Sequence, residues 1–253
     1  MKHIPRKRFG QNFLTDHNVL SEIIRVIAPT AGDAMVEIGP GQGAMTALLL
    51  AHLSHLHVVE LDRDLVAMLQ KKFNPDKLMI HSGDALQFDF GALQPAQGKL
   101  RIVGNLPYNI SSPLLFHLAQ YAQLVEDQHF MLQKEVVQRM VAPPGGKDYG
   151  RLSVMLQWRY QMELLFIVPP SAFDPPPKVD SAIVRMRPIA SPLACDQARL
   201  EQVVTQAFSQ RRKVIRNSLG GLFTEQQLLA AGIDPQARPE TLSLEQYVTL
   251  THC

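Results

Sequence analysis

Met35-Val36-Glu37-Ile38-Gly39-Pro40-Gly41-Gln42-Gly43-Ala44 is the stretch that decides the fold. An apolar run stops on three closely spaced glycines, and a helical pattern follows over Ala44 to Leu53. Glycines let backbone approach a ligand closely, and free amides at a helix start attract polar groups. The dinucleotide fingerprint G-x-G-x-x-G is not met, because the third glycine comes one place early and Ala44 occupies its position. That spacing counts against a nicotinamide dinucleotide and leaves other nucleotide-like ligands open.

Working outward from this turn, short apolar runs alternate with helical patterns from Ala34 to Gln133, as a parallel sheet covered by helices requires. Strands are expected over Met35 to Ile38, His57 to Leu61, Leu78 to His81, Arg101 to Gly104 and Gln128 to Leu132. Helices are expected over Ala44 to Leu53, Arg63 to Phe73 and Pro113 to Ala122. The reading is a doubly wound α/β domain. After Tyr149 come a helix near Leu152 to Trp158 and two strands, Glu163 to Val168 and Ser181 to Met186, which form an antiparallel addition to the sheet. Between them Pro169, Pro170, Pro175, Pro176 and Pro177 stiffen a loop. Beyond Pro188, Gly220-Gly221, Gly232 and Pro235 punctuate short helices such as Gln197 to Phe208 and Glu225 to Ala231. Two domains follow: residues 1–187, with a basic N-terminal arm, and a small helical domain over residues 188–253.

Of 253 residues, 46% are hydrophobic and 19% charged, which suits a folded globular chain and not a disordered one. The net charge of +2 gives little bulk attraction for a polyanion, so charge placement matters more. Lys2, Arg6, Lys7 and Arg8 open the chain without an acid among them, and Arg211, Arg212, Lys213 and Arg216 form a local basic cluster in a C-terminal segment that is neutral overall. A solvated helix face explains such a cluster as well as a specific anionic contact does. Cys195 and Cys253 are the only cysteines, which excludes a disulfide scaffold and makes the cytoplasm the expected compartment. No apolar run is long enough for a membrane span, and the start lacks the apolar core of a signal peptide.

Candidate chemistry lies at the ends of the expected strands. Glu60 ends the second, where its carboxylate can accept from two ribose hydroxyls. Asp84, after the third, can accept from an adenine amine or simply cap a turn. Together they favour an adenosine-bearing ligand. The fourth strand runs into Gly104-Asn105-Leu106-Pro107-Tyr108-Asn109. A turn alone explains Pro107, but a chemical reading explains more. An adenine amine is a poor nucleophile because its lone pair is delocalised into the ring. The Asn105 side-chain carbonyl and the Leu106 backbone carbonyl can each accept one amine hydrogen, which favours a pyramidal nitrogen aimed at a methyl donor. Pro107 fixes the turn, and Tyr108 offers a stacking surface worth roughly 1 to 3 kcal/mol per base. A duplex base must be extruded to reach such a pocket. Phe173, on the proline-rich loop, is the candidate second stacking face, with a core role as the alternative.

The motifs Arg8-Phe9-Gly10-Gln11-Asn12-Phe13-Leu14, Glu37-Ile38-Gly39-Pro40-Gly41, Glu60-Leu61-Asp62, Asn105-Leu106-Pro107-Tyr108-Asn109-Ile110-Ser111, Tyr149-Gly150-Arg151-Leu152-Ser153, Pro175-Pro176-Pro177-Lys178-Val179-Asp180-Ser181 and Gln210-Arg211-Arg212-Lys213 stand in the order of the KsgA-type small-subunit ribosomal RNA adenine dimethyltransferases. The chain resembles that family over nearly its whole length. The resemblance implies a Rossmann-like class I methyltransferase sheet and S-adenosylmethionine as donor. The product it implies is dimethylation of two adjacent adenosines near the 3′ end of 16S ribosomal RNA, within the immature small subunit and as part of its biogenesis. It also implies that Gln11, Asn12 and Leu14 cover the donor, that Gly39 and Gly41 pass its methionine part, that Glu60 and Asp84 hold its ribose and adenine, and that Asn105 borders both ligands. A monomer is expected.

Three rival readings stand beside this one. The macrolide-resistance methylases acting on large-subunit RNA share the donor and reaction motifs, and the proline-rich loop with the small C-terminal domain counts against them. A ribosome-assembly factor that binds RNA, with catalysis secondary, belongs to a different class. A metal centre at His52, His55 and His57, near Asp62, lacks a cysteine or carboxylate to complete a zinc pattern, so no metal is expected. Arg6, Lys7, Arg8, Arg211, Arg212, Lys213 and Arg216 are the expected RNA-phosphate contacts.

Overall fold

A computed structural model describes residues 11–210 and 212–253. Arg6, Lys7, Arg8 and Arg211, expected to contact RNA, lie outside the described residues. The chain forms two compact units, one running up to Val137 and resuming at Glu163–Pro188, the other made of Gln138–Met162 and Ile189–Cys253. Residues 138–162 group with the helices that follow Pro188, the point at which the sequence reading sets its second domain apart.

The first unit is built on a seven-stranded sheet. Its strands in chain order are β2 (Ala34–Ile38), β3 (Leu56–Glu60), β4 (Leu78–Ser82), β5 (Leu100–Asn105), β6 (Val125–Gln133), β7 (Tyr160–Val168) and β9 (Ser181–Pro188), laid out as β4-β3-β2-β5-β6-β9-β7. Two-residue strands β1 (Phe13–Leu14) and β8 (Phe173–Asp174) pair separately. The first five strands of the large sheet are parallel, and β9 adds antiparallel to β6. From β2 the chain builds outward through β3 and β4, then returns to lay β5 on the other side of β2. That reversal opens a crevice at the carboxyl ends of β2 and β5, the place where open α/β sheets bind ligands.

Helices α1 (His17–Ile27), α2 (Ala44–Leu50), α3 (Arg63–Lys72) and α4 (Ser111–Ala119) complete this unit. α1 was not among the expected elements, yet its signals are ordinary. The Asp16 carboxylate accepts from the Asn18 and Val19 amides as N-cap, and Leu20, Ile23 and Ile27 recur on one buried face. Burying each of these side chains contributes about 1.5–3 kcal/mol. Arg101 fastens the other end of α1 to the sheet. Its guanidinium donates to the Ile27 carbonyl at 2.6 Å, to Asp33 at 2.6 Å and to Asp127 at 2.8 Å. No helix among the described residues is long and apolar enough to cross a membrane.

The second unit contains α6 (Arg151–Gln157), α7 (Gln197–Ser209), α8 (Ile215–Ser218), α9 (Glu225–Ala230) and α10 (Leu244–Leu250), while α5 (Lys134–Val141) and β7 straddle the division. Leu200, Val203, Val204 and Ala207 of α7 are fully buried, as are Ile215, Leu228 and Tyr247. The Tyr247 hydroxyl donates to the Pro239 carbonyl at 2.7 Å, so burying the ring leaves no unpaired polar tip.

Candidate active site

The turn after β2 is shaped by left-handed glycines: Gly39 has φ 66° and Gly41 φ 56°. A Cβ on Gly41 would lie 3.1 Å from the Phe13 ring, and one on Gly39 would lie 3.7 Å from the Asn105 carbonyl oxygen. The Gly39 side of the turn thus faces the end of β5 across the reversal point, and the arm through Phe13 closes over Gly41.

Glu60 stands at the end of β3, buried, with both carboxylate oxygens engaged. One accepts from the Asp62 amide at 2.8 Å and the other from the Gly41 amide at 3.3 Å. Burial pushes its pKa up, the two amides pull it back, and the neighbouring Asp62 charge adds to the rise. Asp62 in turn accepts from the Gln11 side chain at 3.2 Å, which ties the arm to the β3 end. Asp84 stands in the turn after β4. It accepts from the Leu86 amide at 2.9 Å as a turn cap, and it lines the cavity.

At the end of β5 the Asn105 amide nitrogen donates to the Asn12 carbonyl at 3.1 Å. With its NH₂ end committed to the arm, Oδ1 is the end presented as an acceptor. The Leu106 amide donates to the Met131 carbonyl at 3.1 Å, continuing the ladder with β6, while no hydrogen bond engages the Leu106 carbonyl among the described residues. The Pro107 carbonyl accepts from the Ile110 amide at 3.2 Å, which closes the turn. The Tyr108 hydroxyl and the buried Ser181 Oγ lie 2.6 Å apart, so the first residue of β9 anchors the far end of the ring. Burial raises the phenol pKa and the Ser181 bond offsets part of that rise.

One cavity is lined by Gln11, Asn12, Gly39, Gly41, Glu60, Asp84, Asn105, Leu106, Pro107 and Tyr108, which gathers most of the candidate residues. Two are not gathered there. Leu14 lies in the β1–β8 pair and lines a second cavity beside α1. Phe173 is 4% exposed, pairs with Leu14 and packs into the core, so its ring is placed as a core aromatic and lines neither cavity. The residues that sequence reasoning missed are chiefly apolar: Ile38, Val59, Leu61, Leu65, Ala85 and Ile110 form the walls. Leu61 carried a usable signal, since a leucine 48% exposed directly after Glu60 has no packing reason to be there. Among the described residues, no three His, Cys, Asp or Glu side chains are gathered to hold a metal ion as they stand.

A family model for ribosomal RNA adenine dimethylase matches residues 2–253. The chain belongs to that family. A ribosomal RNA small subunit methyltransferase A of Janthinobacterium sp. (strain Marseille) is 71% identical over 253 residues, covering 100% of this chain and 99% of the relative. That of Laribacter hongkongensis is 59% identical, covering 99% and 96%. Among solved structures, a dimethyladenosine transferase from Plasmodium falciparum superposes with a TM-score of 0.79 at 25% identity, covering 94% of this chain and 95% of that one. The 23S rRNA methyltransferase ErmE gives 0.73 at 26%, covering 95% and 98%. The family makes this protein a methyltransferase of ribosomal RNA that draws on S-adenosylmethionine, with the Rossmann-like sheet described above.

Proposed function

We propose that this protein dimethylates the exocyclic amines of two adjacent adenosines near the 3′ end of 16S ribosomal RNA, in the immature small subunit, as a cytoplasmic monomer without a metal in the reaction. The observation that carries the site assignment is the Asn105 side chain, which lines the cavity and whose NH₂ is held by the Asn12 carbonyl, leaving its oxygen as the remaining acceptor.

The residues fit the donor chemically. A nucleoside needs an acceptor for two ribose hydroxyls, an acceptor for the base amine, and apolar walls for the ring. Glu60, Asp84 and the Ile38–Val59–Leu61–Leu65–Ala85–Ile110 walls supply these in one cavity. When bound, the donor supplies a methyl group on a sulfonium. The chain's own residues do the rest by position. Tyr108, fixed at its hydroxyl by Ser181, is the platform for a flipped adenine. Asn105 Oδ1 and the Leu106 carbonyl accept the two amine hydrogens and steer the nitrogen lone pair toward the methyl group. Gln11 and Asn12 close the donor side, and Leu14 supports them from the core. Phe173 serves as the second stacking face only if its ring leaves the β1–β8 pair when RNA binds. Arg6, Lys7, Arg8, Arg211, Arg212, Lys213 and Arg216 hold RNA phosphates.

Likeness to the 23S rRNA methyltransferase gives the large subunit as a second reading, but 26% identity there stands against 71% to a small-subunit relative. Incubating purified unmethylated subunits with methyl-labelled donor and digesting the RNA to nucleosides decides between them. Labelled dimethyladenosine is expected from the small subunit, and label confined to the large subunit would overturn the assignment.

A further inference from the structure

The second cavity, of about 330 Å³, shares Phe13, Gly39, Gly41 and Asn105 with the first. Leu20, Ile23, Met45, Met131 and Ile183 give it apolar walls, and exposed His17 and Lys72 mark its opening. Two lining residues are out of keeping with such walls. Glu37 of β2 and His129 of β6 are both buried, and they stand in one row across the sheet with Val103 of β5 between them. Neither ring nitrogen of His129 has a hydrogen-bond partner among the described residues, and the Asp127 carboxylate, 3.8 Å from Nδ1, is beyond hydrogen-bond range. The Glu37 side chain accepts from the Thr46 hydroxyl at 2.6 Å. Buried polar groups are ordinarily satisfied, so a carboxylate and an unpartnered imidazole on one cavity wall point to a polar occupant.

The groups around Glu37 leave its charge unbalanced. Burial lifts its pKa to about 7, the Thr46 bond opposes the rise, and the like charge of Glu60 at the end of β3 adds to it. His129 stays uncharged, because burial and the charges of Arg101, Arg185 and Arg187 outweigh Asp127. Lys72 is engaged at the opening, where its ammonium donates to the Gln42 carbonyl at 2.8 Å, and His17 stands there too. A carboxyl in this state changes protonation near neutral pH in answer to any charge that enters. Gly39, Gly41 and Asn105 line both cavities, so a ligand of the first lies alongside the second. The methyl donor carries a sulfonium, an ammonium and a carboxylate, a net charge of one. Its spent product is a thioether with the same ammonium and carboxylate, and its net charge is zero. A positive charge counts for more beside a buried carboxylate than in water, and it favours the ionised form.

We propose that Glu37 is the residue by which this protein distinguishes the charged methyl donor from its spent product. Glu37 gives up its proton to solvent as the donor binds, and takes one back once the sulfonium charge is gone. The donor is then held by an ionised Glu37 and the product by a neutral one, so product leaves a site that no longer carries a matching charge. A donor that prefers ionised Glu37 binds weakly below pH 7, where the carboxyl is protonated, and reaches full affinity above it. This inference rests on the first cavity being the donor site.

The test is calorimetric titration of the full chain with S-adenosylmethionine and with S-adenosylhomocysteine, in buffers of different ionisation enthalpy so that exchanged protons are counted. With Glu37 half protonated at pH 7, donor binding should release close to half a proton more than product binding does. The ratio of donor to product affinity should rise about five- to tenfold between about pH 6 and pH 8. Both ligands carry the same α-amino group, so its titration drops out of the ratio. Glu37→Gln keeps an acceptor for Thr46 but has no proton to lose, and should flatten the ratio. Thr46→Val removes a bond that favours the carboxylate, so the rise should move to higher pH, whereas Thr46→Ser should leave it in place. A ratio independent of pH in the parent, or a rise that persists in Glu37→Gln, would overturn the proposal. Failure of both ligands to bind would overturn the donor assignment itself, and this inference with it.

Discussion

At the scale of single residues, the proposed reaction site turns on Asn105, whose side-chain NH₂ is held and whose oxygen is left as an acceptor. Asn105→Ala removes both the acceptor and the tie to Asn12. Methyl transfer in single-turnover assays should fall by about two to three orders of magnitude, the size of losing one preorganised polar group at a reacting centre. RNA affinity, read by filter binding, should stay within a fewfold. Asn105→Asp keeps an acceptor but turns a second oxygen toward the Asn12 carbonyl, so a smaller loss is expected. A second prediction concerns two buried titratable groups that sit in one row across the sheet. Glu37 lies opposite Val103, and Val103 opposite His129. Burial lifts the Glu37 pKa from 4.5 to about 7, the Thr46 hydroxyl bond opposes this, and the Glu60 charge adds to it. Burial drops that of His129 from 6.5 to about 4. A raised carboxyl pKa gives stability that is full below 4.5 and lost as pH rises through 7. A lowered imidazole pKa gives stability that is full above 6.5 and lost as pH falls through 4. Between 4.5 and 6.5 the two slopes oppose and nearly cancel. Glu37→Gln removes one of them. Its stability relative to the parent should increase as pH is raised from 4.5 to 7, by about 3 kcal/mol at most, in urea denaturation run across that range. A margin independent of pH would show that Glu37 does not titrate there.

At the scale of elements, the β1–β8 pair has two duties that pull against each other. Leu14 and Phe173 pair in register and both join the core, while the arm carrying Leu14 also covers the cavity through Gln11 and Asn12. Phe173→Leu separates packing from stacking. Removing three carbons from this buried ring should cost about 1–3 kcal/mol in denaturation, whereas losing the ring as a base platform should slow methyl transfer about tenfold or more. Unchanged transfer in a folded Phe173→Leu protein would leave the ring a core residue only. This pair also shows what sequence reading can and cannot reach. Glu60, Asp84 and Asn105 were legible because a polar residue directly after an apolar run has few packing explanations, and parallel strands bring such ends to one edge. The tie from Asn105 to Asn12 spans 93 positions and rests on how the arm folds back, which no local period encodes. The prolines that frame Phe173 point to a site residue, but its pairing with Leu14 and its burial are long-range facts that no local pattern gives. The walls at Leu61 and Ile110 are apolar residues in a chain full of them. α1, by contrast, had its N-cap and its buried face written in the sequence.

At the scale of the whole molecule, a net charge of +2 makes RNA affinity depend on where the basic residues stand. Arg212, Lys213 and Arg216 are exposed, and among the described residues Arg216 has one ion pair, a 3.9 Å contact with Glu225. An exposed pair of that length is worth about 0–1 kcal/mol at most, so it does not withhold Arg216 from a phosphate. Each phosphate neutralised by a cation releases counterions, and the logarithm of affinity falls with the logarithm of salt concentration by about 0.7 per contact on single strands and about 0.9 on duplex. Replacing Arg211, Arg212, Lys213 and Arg216 together by glutamine should therefore flatten the salt slope of RNA binding by about three. The same protein should show a raised KM for RNA at moderate salt and a nearly unchanged kcat once RNA saturates, because phosphate contacts position the substrate without touching the reacting amine. Asn105→Ala should do the reverse, leaving the salt slope intact and removing turnover. A salt slope equal to the parent's in the fourfold variant would mean that this cluster is only solvated surface charge and that the anionic contacts lie elsewhere on the chain.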